Sequence, residues 1–344
     1  RAISVMPGVL GGVVAAFRGK RALGAGIFAL FLSIHLYANH LQMTYYLLFL
    51  IGFVGISEFI FKAYSGQIKQ ALTTSLLLLA AGFFAILPQS AELALTNNYS
   101  HHTTRGEAVL TNSTDNLETS NSGLKDDYIL EYSMSRAEWM SMIVPNIKGG
   151  GDQLYWGEQR FSGGAFYFGA IAFALMLAFF FVGRDPLRFP LMLISILAII
   201  LSWRDASALS DFFLNHVPLF NKFRDTKMML VIVQVAVAAG GALALKEIWE
   251  DAANGKWKPW VFSLLGISLV LFIFYFSPTT FFDFTSSIRS DQALIQLGKN
   301  SVTQLRIDIF KSDVLRSLSL IAICAAAVYM ILKGILDKRI IISV

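Results

Sequence analysis

Charge is missing from long stretches of this chain, and polar turns separate them. Residues 165–182 carry no charged side chain, and residues 71–88, 228–245 and 259–277 are comparable. Crossing a hydrocarbon layer of about 30 Å takes roughly 20 helical residues. A chain in lipid must also pair every backbone N–H and C=O internally, which leaves only helices or closed barrels. Barrel strands alternate with period two, whereas these runs are apolar on every side. The pattern predicts an all-α polytopic membrane protein with about nine transmembrane helices. They fall near residues 3–17, 22–38, 44–61, 70–88, 165–182, 187–202, 227–246, 259–277 and 314–332.

The connections divide the chain. Residues 1–88 read as four N-terminal transmembrane helices, the first truncated. Residues 89–164 read as one extracytoplasmic loop. Residues 165–344 read as five further transmembrane helices with outer loops at 203–226 and 278–313. The short connections 18–21, 62–69, 183–188, 246–258 and 333–339 hold 13 of the 28 Lys and Arg residues. They fall on alternate sides of the predicted spans, and basic short loops stay cytoplasmic. This implies a multi-pass membrane protein with its large loops outside. The chain starts at Arg1 and ends in "DKRIIISV", as a piece of a longer protein would.

Composition agrees with lipid as the solvent. The chain is 55% hydrophobic and 15% charged, with a mean hydropathy of +0.59. Soluble domains carry about 25% charged residues. The net charge of +5 follows from basic cytoplasmic loops and does not imply nucleic acid. The single cysteine, Cys324, lies inside the last predicted span and forms no internal disulfide.

The outer segments hold the chemistry. "YANHLQMTYYLLF", residues 37–49, crowds Asn39, His40, Gln42, Tyr45 and Tyr46 into one turn. One reading is an aromatic belt with a polar turn. The other is a polar cavity opening outward, in which His40 and Gln42 bond sugar or phosphate oxygens and the rings take a sugar face. "NHVPLFNKFRDTKMML", residues 215–230, puts Lys222, Arg224 and Lys227 on the outer side, against the positive-inside tendency. Snorkelling would account for them. So would the phosphate of a lipid carrier, which the planar fork of an arginine matches.

A third stretch, residues 143–170, joins Gly149, Gly150 and Gly151 to Asp152, Tyr155, Trp156, Glu158 and Arg160. It reads either as a simple re-entry loop or as an acceptor site with carboxylates, aromatic surface and a cation. Residues 209–217 place Leu209, Phe212, Phe213 and Val217 at helical spacing, which predicts an amphipathic helix in the outer interface. Glu58 reads as a snorkelling charge near a helix end. The adjacent His101 and His102 lack further metal ligands nearby. There is no nucleophile elbow, CxxC pair, Rossmann glycine pattern or basic stripe for nucleic acid. Few charges lie within the spans, which weighs against a proton-coupled transporter.

Several of these stretches, taken in order, carry a resemblance. "ANHLQMTYYLLF", "RGEAVL", "VPNIKGGG", "YWGEQRFSGGAFYFGAIAF" and "PLFNKFRDTKMMLVI" resemble the bacterial YfhO-like membrane proteins, especially the long Bacteroidetes forms, from about residue 25 to 247. That family is placed in the glycosyltransferase C superfamily. The resemblance implies transfer of a sugar from a polyprenyl-phosphate donor to a cell-envelope polymer or glycolipid acceptor on the outer face. It also implies a catalytic acidic residue in a first outer loop, which this chain starts beyond, so no residue here inherits that role.

Chemistry assigns Arg224 and Lys222 to phosphate, with Lys227 beside them. It assigns Asn39, His40, Gln42, Tyr45 and Tyr46 to donor or acceptor. Tyr155, Trp156 and Arg160 join the binding surface, with Asp152 and Glu158 as candidate catalytic carboxylates on the acceptor side. No organic cofactor is called for, and a divalent cation is an option. The competing readings are a transporter or flippase of envelope lipids, which needs a continuous polar path, and a non-catalytic scaffold.

Overall fold

The computed structural model describes residues 1–103, 106, 124–150, 154–159, 166–205, 207–252, 254–286 and 299–337. Its helices are α1 (Ala2–Phe17), α2 (Arg21–Tyr37), α3 (Leu41–Tyr64), α4 (Ile68–Ile86), α5 (Ser90–Ser100), α6 (Asp126–Leu130), α7 (Ala170–Val182), α8 (Arg188–Leu201), α9 (Ala208–His216), α10 (Leu230–Asp251), α11 (Lys258–Phe276) and a long final helix, Lys299–Leu332. No strand occurs among the described residues.

A helix meets every predicted span. Among the described residues, five stretches are long and apolar enough to cross a membrane: Leu41–Tyr64, Ile68–Ser100, Thr226–Asp251, Lys258–Phe276 and Val302–Leu332. Four more are shorter apolar helices, Ala2–Phe17, Arg21–Tyr37, Ala170–Val182 and Arg188–Leu201. Within the apolar run at 165–182, residues 166–169 are not helical, and α7 starts at Ala170, behind Gly169 at φ +104°. That backbone region is open to glycine and costly for other residues.

Conversely, the helix begun at Ile68 continues through a tight turn at Leu87–Gln89 to Ser100. The first residues of the predicted outer loop are therefore helical. Apart from Gly106, the "RGEAVL" motif lies outside the described residues.

The helices wear their apolar side chains outward. Only 22% of the Ile68–Ser100 span window is buried, and Leu76, Leu79, Phe83 and Phe84 are each more than three-fifths exposed. Large contiguous apolar surface of this kind is unfavourable in water. Hydrocarbon accommodates it.

The chain packs as two compact units, residues 1–133 with 200–231, and residues 134–199 with 232–344. In the first, α1 lies along α2, α3 packs on α1, and α4 packs on α2 and α3. Gly12 and Gly24 allow the α1–α2 approach. A Cβ on Gly12 would stand 2.5 Å from the Phe28 backbone nitrogen, and one on Gly24 would stand 2.3 Å from that of Ala16. Close packing through small residues is how helices associate where the surrounding lipid is as apolar as their side chains.

Glu58 of α3 does not snorkel. It is buried and accepts from Arg18 Nη2 at 2.9 Å and Nε at 3.2 Å, because a buried carboxylate requires a cation. α9 forms as the spacing predicts, capped by the Ser207 hydroxyl, which accepts from the Ser210 N–H. Its Phe213 ring packs against Phe49 and Phe220.

In the second unit α7, α11 and the final helix pack together. The basic turn after α7 is latched to α10. The Arg184 and Asp185 N–H groups donate to Glu247, and Arg184 Nη1 donates to both Asp251 carboxylate oxygens at 2.8 Å. Trp260 Nε1 also donates to Asp251, at 2.9 Å.

Candidate anion-binding site

The polar turn between α2 and α3 is fastened to two segments far from it in the chain. Asn39 ends α2 in the left-handed region, at φ +49°, which Asn tolerates better than most residues. Its amide donates to Glu92 Oε1 at 2.6 Å in the first turn of α5. His40 is the N-cap of α3, where its Nδ1 accepts from the Met43 N–H at 3.4 Å.

One turn on, Gln42 Nε2 donates to the Arg224 carbonyl at 2.6 Å, to the Asp225 carbonyl at 3.3 Å and to Tyr46 Oη at 2.9 Å. Tyr45 Oη donates to the Pro218 carbonyl at 2.7 Å, and its ring lies against Phe220 and Phe223. Tyr46 is 1% exposed. The crowding of hydrogen-bonding groups in residues 37–49 therefore answers the backbone of residues 218–225. Gln42 and Tyr45 hold that backbone in place, and Tyr46 Oη accepts from Gln42.

The segment they hold is unusual. Leu219 and Asp225 both have left-handed backbones, at φ +68° and +62°. Conformations of that kind cost of order 1–3 kcal/mol for residues other than glycine and are kept where neighbours over-determine them. Here α6 supplies the neighbours from the other side. Asp225 N–H donates to the Ile129 carbonyl at 3.0 Å, and Leu124 N–H donates to that of Asn221 at 3.0 Å. The Ser133 and Thr226 hydroxyls pair at 2.9 Å.

The result presents a cation on an aromatic platform. Arg224 is exposed. Its Nη1 donates to Tyr128 Oη at 2.7 Å, and its guanidinium carbon lies 5.8 Å and 5.2 Å from the Tyr128 and Tyr132 ring centroids. The tyrosine hydrogen bond strengthens its hold on its proton. Just below, Asp225 is only 9% exposed. Lys227 Nζ stands 3.8 Å from its Oδ2, while its Oδ1 is buried with no hydrogen-bond partner among the described residues. Burial raises the Asp225 pKa to about 6, against the pull of Lys227 and Arg224. Lys222 ends the turn Phe220–Lys222 and is half-buried.

The third stretch builds a separate network in the second unit. Glu138, 2% exposed, accepts from the hydroxyl of Tyr155, from Gln159 Nε2 at 3.1 Å, and from the Ser135 and Glu158 N–H groups at 2.6 and 3.2 Å. Trp156 is buried, and its Nε1 donates to the Asp283 carbonyl at 3.1 Å. Lys148 Nζ donates to the same oxygen at 2.9 Å, and burial lowers its pKa. Tyr155, Trp156 and the Glu158 backbone thus shape this loop from within. Asp152 and Arg160 lie outside the described residues. Among the described residues no group of three or more His, Cys, Asp or Glu side chains is placed to hold a metal ion.

Tyr128, Tyr132, Asp225 and Glu138 are among the residues of these networks that sequence reasoning did not single out. Two signals were visible. "DDYILEY" places two tyrosines four residues apart, on one helical face, and "FRDTK" sets an acid between two cations at the mouth of an apolar run. Glu138 has one local donor, the Ser135 N–H in a Ser-x-x-Glu pattern, while Tyr155, the Glu158 N–H and Gln159 arrive 17 to 21 residues later. Comparison with models of known protein families, with curated proteins and with solved structures finds no match.

Proposed function

We propose that this protein binds a polyprenyl-phosphate-linked sugar at the outer face of a bacterial cytoplasmic membrane and transfers the sugar to an envelope polymer or glycolipid. The observation that carries the reading is Arg224, exposed over Tyr128 and Tyr132 directly before an apolar helix. A cation at that depth meets a lipid phosphate while the lipid chain stays among apolar helices. The tyrosine rings offer the flat apolar face and polar edge that suit a sugar. Cations near the departing phosphate oxygen stabilise the charge that develops there. The sequence expectation of nine spans, with basic short loops inside and the Arg224 segment outside, supports this reading. So does the resemblance to YfhO-like proteins of the glycosyltransferase C superfamily.

The test is sugar transfer in liposomes by the full-length protein, with a polyprenyl-phosphate sugar as donor and no nucleotide sugar present. Transfer that is lost in Arg224→Ala supports the proposal. Transfer that proceeds equally well in Arg224→Ala removes the phosphate site from the reaction.

A further inference from the structure

The second unit holds a groove that the proposed transfer leaves unused. About 710 Å³ of space lies along α11 from Pro259 to Phe274, walled by Leu177 and Phe181 of α7 and by Trp139. Fifteen residues of helix make it about 22 Å long, against about 15 Å for half of a hydrocarbon layer. Its wall is hydrocarbon and aromatic ring, which suits an acyl chain.

One hydroxyl interrupts that wall. Ser263 Oγ is buried with no hydrogen-bond partner among the described residues. Ser268, on the same helix, instead donates back to the Leu264 carbonyl at 3.0 Å. A buried hydroxyl without a partner is unfavourable, and an occupant that brings its own acceptor removes the penalty.

The end of the groove nearest Ser263 is basic. Trp257 links the two features. Its ring lies 6.2 Å from that of Phe262, which lines the groove, and 5.0 Å from that of Tyr329. Lys333 Nζ stands 5.1 Å from the Trp257 ring centroid, and Lys256 and Lys258 flank that residue in the chain. All three lysines are exposed.

The acids of the same end are largely engaged. Glu247 and Asp251 are buried and hold the Arg184 turn. Glu250 lies between Arg184 and Lys246. Asp185 and Arg188, in the turn after α7, are of opposite sign. Exposed lysines 246, 256, 258 and 333 thus stand against the exposed acids Glu250 and Asp337. Connections 246–258 and 333–339 are two of those that the charge pattern assigns to the cytoplasmic side.

We propose that the second unit binds one anionic phospholipid of the cytoplasmic leaflet, with an acyl chain in the groove, an ester carbonyl on Ser263 and the phosphate among Lys256, Lys258 and Lys333. Ser263 lies about 7.5 Å further along α11 than Lys258, so phosphate and ester meet the two residues in the order in which a lipid enters the layer. A chain that reaches the midplane fills about two-thirds of the groove. Basic pockets between helices on this side of a membrane hold anionic headgroups. The site needs neither Arg224 nor sugar transfer.

Native mass spectrometry of the full chain, released from detergent with phosphatidylglycerol or phosphatidylcholine of identical acyl chains, tests this. Wild type should retain one phosphatidylglycerol about tenfold more tightly than phosphatidylcholine. Lys256→Gln, Lys258→Gln and Lys333→Gln combined should bring the two lipids level. Lys20→Gln with Lys69→Gln, in other basic connections, should leave the preference intact.

Gly266 lines the groove and has nothing within 4 Å of its Cβ position. Gly266→Leu should therefore fill the groove without strain and weaken both lipids several-fold, with an unchanged melting temperature in lipid-free detergent. Excess glycerol phosphate should displace neither lipid, because it lacks the chain. Equal retention of the two lipids by wild type overturns the proposal. So does a preference that survives the triple variant or is lost equally in the Lys20 and Lys69 variant. Unchanged binding in Gly266→Leu, or displacement by glycerol phosphate, removes the groove from it.

Discussion

Gln42, in the first turn of α3, donates a 2.6 Å hydrogen bond to the carbonyl oxygen of Arg224, 182 positions later in the chain. This one contact joins the polar turn to the cationic segment and places the Arg224 backbone at the start of an apolar helix. Gln42→Ala should destabilise the first unit by about 1 kcal/mol, the net worth of an ordinary hydrogen bond. Gln42→Glu should be worse, since a carboxylate would face two carbonyl oxygens with no proton to donate. Hydrogen exchange of the amides in residues 222–228 should report both, with faster exchange in the Glu variant.

The α1–α2 crossing depends on the absence of a side chain at Gly24, where a Cβ would meet the Ala16 backbone. Gly24→Leu should force the helices apart at a cost of about 1–3 kcal/mol or more. Gly11, on the same pair of helices, has nothing within 4 Å of its Cβ position, so Gly11→Leu should be tolerated. Thermal unfolding in detergent separates them, and equal melting temperatures would contradict the packing described.

Asp225 should also make stability depend on pH. Its pKa is about 6 in the folded protein, raised from 3.8. The folded state therefore binds the proton more tightly than the unfolded chain between those values, and stability falls as pH rises through that window. At pH 7.5 Asp225→Asn should be the more stable protein by on the order of 2 kcal/mol. The gap should close below pH 4, where both states of the wild-type residue are neutral. A melting series from pH 4 to 8 measures it, and a gap that widens toward acid would contradict the burial of this charge.

Much of the fold was legible because lipid makes sequence pattern decisive. A helix falls on every uncharged run, and the amphipathic spacing of Leu209, Phe212 and Phe213 became α9. Boundaries were less legible. α7 starts behind Gly169, while "PQSAEL" carries a helix past Pro88, which sits inside a tight turn at Leu87–Gln89 rather than ending the run. At the candidate site, residue types marked the stretches but not their contacts. Gln42, Tyr45 and Tyr46 were singled out as groups for a ligand; the structure turns Gln42 and Tyr45 onto the chain's own backbone, and Tyr46 Oη accepts from Gln42. Glu58 read as a surface charge because its partner, Arg18, lies 40 residues away. Pairings across such distances leave no local pattern. Asp225 was masked by the cations on either side of it.

The proposed hold of Arg224 on a lipid phosphate is measured most directly by the protein's affinity for polyprenyl phosphate in phosphatidylcholine nanodiscs. Arg224→Ala should weaken binding by about 10- to 100-fold, the worth of a charge-assisted hydrogen bond. Arg224→Lys should recover only part of it, because the planar fork is lost. An Arg224→Ala protein that stays folded and binds the lipid as tightly as wild type would contradict the account.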